Sequence, residues 1–232
     1  MARDSSRSEI AYRKLKNAIQ SGTLAPGTRI REMEIAERFA ISRTPVRDAI
    51  RRLEADGMIS FVPRQGAVVS RLDHQETMEL YDLREVLEGT AAGFAARHAS
   101  AAEIAELEEL VASEEPIHDD PEQLAELNRI FHSVLYRAAH NRYLERALLN
   151  LRDSMALLGG TSLRVAGRYE TAHEEHDTIV RAIARRDAET AETAARAHIR
   201  NAQRARLKLM REQMLRQGSE LAVDEDTSFS HG

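Results

Sequence analysis

The stretch SRTPVRDAIRRLEADG, Ser42 to Gly57, decides how the rest of the chain is read. Val46, Ala49, Ile50 and Leu53 recur at helical spacing and define a buried stripe. Arg43, Arg47 and Arg51 stand at i, i+4 and i+8 on the opposite side. Ser42 can cap this helix, Pro45 is tolerated in its first turn, and Gly57 suits the residue just past its end. Upstream, Tyr12, Leu15 and Ile19 predict a first helix that stops by Ser21-Gly22, and LAPGTRI predicts a turn and an extended entry. REMEIAERF is a short second helix with Ile35, Ala36 and Phe39 inward, and AIS is a tight break before the third. Downstream, MISFV and GAVVSRL around PRQG predict a β-hairpin. Three helices followed by a hairpin is the order of a winged helix-turn-helix.

The composition agrees with a globular, mostly helical protein. A hydrophobic content of 42% with 31% charge excludes a disordered chain. Aromatic residues make up only 4%, and the abundance of Ala, Leu, Glu and Arg favours helix over sheet. With no cysteine there is neither a disulfide nor a thiolate metal site, which fits a reducing cytoplasm. No apolar run has the length of a membrane span, and MARDSSRSEI has no signal-peptide core. A cytoplasmic protein is expected.

The net charge of −5 conceals two opposed parts. Residues 1–72 carry 14 Lys+Arg against 8 Asp+Glu, a net +6, whereas the remainder carries 19 against 30, a net −11. From Asp73 onward helices are predicted at 74–98, 101–115, 122–139, 142–158, 168–186 and 188–216. Ser100 with Glu103 forms a capping box, and Asp120-Pro121 and Asp187 mark further starts. Six amphipathic helices with short links predict an antiparallel bundle. The expected fold class is therefore mainly α. A winged helix-turn-helix occupies 1–72 and an all-helical domain 73–216, with a polar tail at 217–232 expected to be disordered.

The arginines of the third helix suit the major groove of double-stranded DNA, because a guanidinium can grip guanine O6 and N7 together. Ser42 and Thr44 at the helix N-terminus suit phosphate oxygens. Arg64, Gln65 and Gly66 form the hairpin tip, or wing, where glycine lets the backbone come close. Three arginines alone would read as a solvated basic face. Helix-turn-helix spacing, wing and charge asymmetry together reverse that preference.

On these residues, PGTRIREMEIAERFAISRTPVRDAIRRLEADGMI resembles the DNA-binding domain of the GntR family of bacterial transcription regulators. The helical remainder resembles the FCD ligand-binding domain of the FadR subfamily, so the resemblance covers roughly residues 8–215. It implies a homodimer whose two winged domains read a short palindromic operator. Where some relatives carry a basic residue in the second helix, this chain has Met33, so no contact is carried over to that position.

NRIFH, Asn128 to His132, raises a separate question. Leu124, Leu127, Phe131, Val134, Leu135 and Ala138 define the apolar face of its helix, and Asn128 and His132 fall within or beside it, one turn apart. Downstream, His176 is in line with Val180 and Ile183, and His198 sits among Ala194, Ala195, Ala202 and Ala205. Three imidazoles and an amide oxygen on inward faces can form a first-row metal site. Each histidine alone reads as a core or boundary residue, and His173, one turn before His176, fits the spacing as well. His74, His98, His118, His140 and His231 read as surface, cap or tail residues.

The resemblance decides among them. Many FCD domains bind a divalent metal through an aspartate and three histidines, the acid four residues before the first histidine, and that pattern maps onto Asn128, His132, His176 and His198. Zinc is the first candidate, with nickel and manganese as alternatives. Asparagine in place of aspartate offers only a neutral carbonyl oxygen, so the ion would be held more weakly and attract anions more strongly. A small carboxylate effector is the expected partner. Arg84, in the R-x-x-L-E pattern of the resemblance, is either a clamp for that carboxylate or an intrahelical partner of Glu88.

The expected function is thus a ligand-responsive transcription regulator, read as a repressor and not as an enzyme. A metal sensor, in which the ion itself is the signal, is the nearest alternative. A metal-dependent hydrolase would need a general base, and no glutamate stands at zincin spacing from the histidines.

Overall fold

The computed structural model describes the backbone of residues 2–228 and the side chains of residues 7–215. Among them are nine α-helices and two strands: α1 (Ala2–Gln20), α2 (Glu32–Phe39), α3 (Arg43–Ala55), β1 (Ile59–Val62), β2 (Gly66–Val69), α4 (His74–His98), α5 (Ala101–Ala112), α6 (Pro121–Ala138), α7 (Arg142–Ala156), α8 (Arg168–Ala184) and α9 (Ala188–Ser228). Short 3-10 turns lie at Glu115–Ile117 and Ser162–Arg164. No described helix is long and apolar enough to cross a membrane. Of the expected tail, the backbone of α9 continues to Ser228, while residues 229–232, and with them His231, lie outside the described residues. The order of elements is that of a winged helix-turn-helix followed by a helical domain.

The chain divides into two compact units: Met1–Leu80 with Arg146–Gly160, and Tyr81–Glu145 with Thr161–Gly232. In the first, Leu15, Ile19, Val46, Ala49, Ile50 and Leu53 are buried in one core, to which the inward faces of α1 and α3 contribute. Each such Leu, Ile or Val contributes about 1.5–3 kcal/mol by leaving water. Ala40, with φ 54, ends α2 in the left-handed conformation and sends the chain into α3. Ser42 is the N-cap residue of α3 by backbone position, but its side chain accepts no capping hydrogen bond. The cap is thus positional, contrary to the side-chain cap the sequence suggested.

β1 and β2 pair antiparallel, with Val62 opposite Gly66. Arg64 (φ 66) and Gly66 (φ 84) supply the left-handed residues that this short connection needs. The extended entry at Gly27–Ile30 adds a third edge, since Ile30 N–H donates to the Ala67 carbonyl and Val69 N–H to that of Thr28. Residues 146–160 belong to this unit, although the bundle was expected to hold all of α7. Leu157 joins the winged core, and Asp153 accepts from Gln20 Nε2 at 2.7 Å and pairs with Lys16 Nζ at 2.6 Å.

In the second unit α4 and α9 approach closely at two glycines. A Cβ at Gly89 would lie 2.5 Å from Arg196 Cγ, and one at Gly93 would lie 3.3 Å from the Ala188 carbonyl oxygen. Three helices begin at the expected caps. Ser100 and Glu103 form the reciprocal box at α5, Asp120 accepts from Glu122 and Gln123 N–H at α6, and Asp187 accepts from Thr190 N–H at α9.

The box at α5 generates a test. Hydrogen bonds from His140, and then from the Ser100 N–H, hold the Glu103 carboxyl down at about 2. A depressed carboxylate stabilises the fold above its ordinary value of 4.5, and that contribution is lost as pH falls toward about 2. Ser100→Ala should lower stability by about 1 kcal/mol. Glu103→Gln should flatten the acid limb of stability between those two pH values, as read by urea unfolding across that range.

Candidate nucleic-acid interface and metal centre

In the winged unit, Ser42, Arg43, Thr44, Arg47 and Arg51 are all exposed on one face of α3, as are Arg64, Gln65 and Gly66 at the hairpin tip. Val46, Ala49, Ile50 and Leu53 bury the other face and fix which side chains point outward. Glu32, at the start of α2, gathers two of the arginines. Arg47 Nε and Nη2 each donate to its carboxylate at 2.8 Å, and Arg43 Nη2 lies 3.6 Å away. The hydrogen bonds from Arg47 hold the Glu32 carboxyl below the ordinary carboxylate value. Arg52, by contrast, stacks on the Tyr12 ring at 4.1 Å and donates to Glu9, so it belongs to the scaffold. Met33 is 60% exposed and brings no charge to this surface.

In the helical unit, α6, α8 and α9 bring His132, His176 and His198 together. One potential ligand atom from each lies within 4.8 Å of the others, and all three residues are buried. Phe131 stacks on the His176 ring with centroids 4.3 Å apart, and the His176 and His198 rings are 4.7 Å apart. Asn128 lies one turn before His132 on α6 and is half-buried.

Behind each imidazole stands a carboxylate. His176 Nδ1 lies 2.7 Å from Glu114 Oε1, and His198 Nδ1 lies 2.7 Å from Glu175 Oε2. His132 Nδ1 lies 2.8 Å from Glu88 Oε2, but the pair lacks the alignment of a hydrogen bond. Glu114 also holds His173 Nδ1 at 2.9 Å, which gives that histidine a place behind the cluster instead of in it. Glu175 accepts further from Asn201 Nδ2 at 2.7 Å and from Arg168 Nη2 at 2.8 Å. Arg84 Nε donates to Glu88 at 2.7 Å, so of the two roles read for Arg84 the intrahelical pair is the one formed.

These contacts set the protonation of the cluster. Burial pushes His176 down despite the opposing Glu114, and burial with the neighbouring His176 and His132 pushes His198 well down. Both rings are therefore neutral bases near neutral pH. Burial alone would raise Glu88, yet the charges of Arg84 and His132 and a hydrogen bond from Tyr136 hold it well below the ordinary range. Glu114 is also lowered: the pull of His176 and His173 outweighs burial.

A neutral imidazole whose Nδ1 proton is held by a carboxylate presents Nε2 as a lone-pair donor, the usual orientation of a metal-bound histidine. His176 Nε2 is buried with no hydrogen-bond partner among the described residues. The donor set thus fits a divalent first-row ion. The sequence reading identified the three imidazoles but missed Glu114, Glu175, Tyr136 and Arg168. Only Glu175 carried a signal, its position beside His176.

The chain matches two family descriptions in tandem, "Bacterial regulatory proteins, gntR family" over residues 7–69 and "FCD domain" over residues 79–201. It is 33% identical over 190 residues to the uncharacterized HTH-type transcriptional regulator YdhC of Bacillus subtilis, covering 81% of this chain and 85% of that protein. Identity to a probable D-xylose utilization operon transcriptional repressor of Paenarthrobacter nicotinovorans is 34% over 184 residues, covering 78% and 80% of the two chains. The solved structure of Escherichia coli McbR/YncC shares the fold, with a TM-score of 0.71 at 22% identity over 90% of this chain and 98% of that one. Tandem winged and helical domains of this kind define DNA-binding transcription regulators, not enzymes. This chain belongs to the GntR family and carries an FCD domain.

The exposed arginines make that DNA contact testable. Arg47→Ala should cost on the order of 1–3 kcal/mol in specific operator binding if its contact is bidentate to a base. The fold should be unaffected, because Arg47 is about half exposed and its partner Glu32 lies at the surface. Unchanged affinity in a footprint titration would remove Arg47 from the reading surface.

Proposed function

We propose that this chain is a repressor of the FadR subfamily that works as a homodimer on a palindromic operator and responds to a small organic acid bound beside a divalent metal. The observation that carries this reading is the triad of buried imidazoles, each backed by a carboxylate. His132, His176 and His198 would hold the ion, with Asn128 as a neutral oxygen ligand and zinc as the first candidate. When bound, the ion supplies a positive charge that can hold a carboxylate.

The chain's own residues do the rest. Glu114 and Glu175 fix the ring orientations of His176 and His198, and Arg84 holds Glu88 charged behind His132. Phe131 shields the His176 ring from water. The acid changes operator affinity by binding one of two states more tightly than the other. Repression is supported by the relative described as a repressor of a sugar-utilisation operon. Leu83 and Val86 on α4, 47% and 50% exposed, give apolar surface that a second copy could cover.

Fluorescence anisotropy on operator DNA, with chelator, with zinc and with candidate acids, tests the reading. His132→Ala should lose zinc and the acid response together while helical content is retained. Glu114→Gln should weaken zinc about 10–100-fold. Asn128→Asp should tighten zinc yet weaken the acid, because the added charge offsets part of the ion's. A wild-type protein that binds none of zinc, nickel or manganese would refute the metal reading. If chelator alone abolishes operator binding and no acid has any effect, the ion itself is the signal. Light scattering should give a dimer at micromolar concentration, and a monomer with full operator affinity would refute the assembly.

A further inference from the structure

Arg168 opens α8, directly after Gly167 (φ 75), and its side chain is turned inward to 6% exposure. A guanidinium has five N–H groups and needs acceptors for them when it leaves water. Here Nη2 donates to Glu175 Oε2 at 2.8 Å and lies 3.5 Å from His198 Nδ1. Nε and Nη1 are both shut off from solvent and have no hydrogen-bond partner among the described residues. Leaving the N–H groups of a buried charged side chain without acceptors is costly, so these groups call for an acceptor from outside the chain.

Arg84, also buried, differs. Arg84 has a carboxylate of its own, with Nε on Glu88 at 2.7 Å, and its ring neighbour is Tyr81. The acceptor of Arg168, Glu175, is by contrast shared with His198 and Asn201, so its charge is divided among three donors.

We infer that Arg168, and not Arg84, is the group that binds the effector carboxylate, through an open donor on Nε or on Nη1. This rests on the proposal of an acid-responsive pocket at the histidine cluster, and it assigns the chemistry of that pocket. The ligand is a small carboxylate that takes hydrogen bonds from Arg168 beside His198. Glu175 couples the two, because it holds both the guanidinium and the imidazole in place. A phosphate offers similar oxygens, so the two anions must be compared.

Thermal melting of the full chain at fixed ionic strength, with succinate or with phosphate, provides the test. Zinc uptake is measured on the same samples. Succinate at several times its Kd should raise the melting midpoint of the wild type by about 2–4 °C. Arg168→Lys and Arg168→Met should lose that shift while still taking up zinc. Lysine keeps a charge and N–H donors but not the planar fork that places them, so its failure separates guanidinium geometry from charge, and circular dichroism checks that both variants fold. Equal succinate shifts in wild type and variants would overturn the inference, as would a wild type that neither anion stabilises. A phosphate shift larger than that of succinate would overturn the carboxylate assignment. A wild type that takes up no zinc, yet keeps an Arg168-dependent succinate shift, would support Arg168 and refute only the metal reading.

Discussion

Three imidazoles cannot share one buried site as cations. At ring separations of 4.7 to 5.7 Å the repulsion would add to the cost of burial. Burial keeps His176 and His198 neutral, and each of these two rings has a carboxylate acceptor for its remaining proton. Glu114 and Glu175 accept from His176 and His198, and Glu88 stands against His132. Glu88 and Glu114 are themselves buried and Glu175 is largely so, and each needs positive or polar company. Arg84 meets Glu88, His173 meets Glu114, and Arg168 and Asn201 meet Glu175. The polar interior of the helical unit follows outward from this one requirement.

That network changes how Asn128 is understood. Judged by the inner donors alone, replacing an acid with an amide leaves the ion nothing to balance its charge. The carboxylates one hydrogen bond further out partly restore that balance, while the two arginines limit it. The surroundings of the three imidazoles are therefore electrically mixed, with buried carboxylates and guanidinium groups side by side.

Much of the fold was legible in the sequence because its signals are local. Ser100 with Glu103, Asp120 before Pro121, and Asp187 each announce a helix start with their own side chains, and each start lies where those residues put it. Gly57 and the PRQG turn likewise closed α3 and the hairpin. Non-local features were less visible. The winged core recruits Leu157 and Asp153 from far along the chain, a pairing that no periodicity encodes. In the site, helical spacing put His132, His176 and His198 on inward faces but admitted His173 as well, and only the family resemblance separated them. Glu114 was not legible, since it lies in a short acidic link between helices and meets His173 and His176 of α8 by contacts far along the chain. Arg168 carries no signal in the sequence, and its burial marks it out.

X-ray absorption at the zinc edge, on wild-type protein loaded with one equivalent of zinc, tests the central claim most directly. The account predicts a shell with three imidazole nitrogens at about 2.0–2.1 Å, completed by oxygen. The same measurement on His176→Ala should show one imidazole fewer. A shell without imidazole scattering, or a protein that retains no zinc after gel filtration, would contradict it.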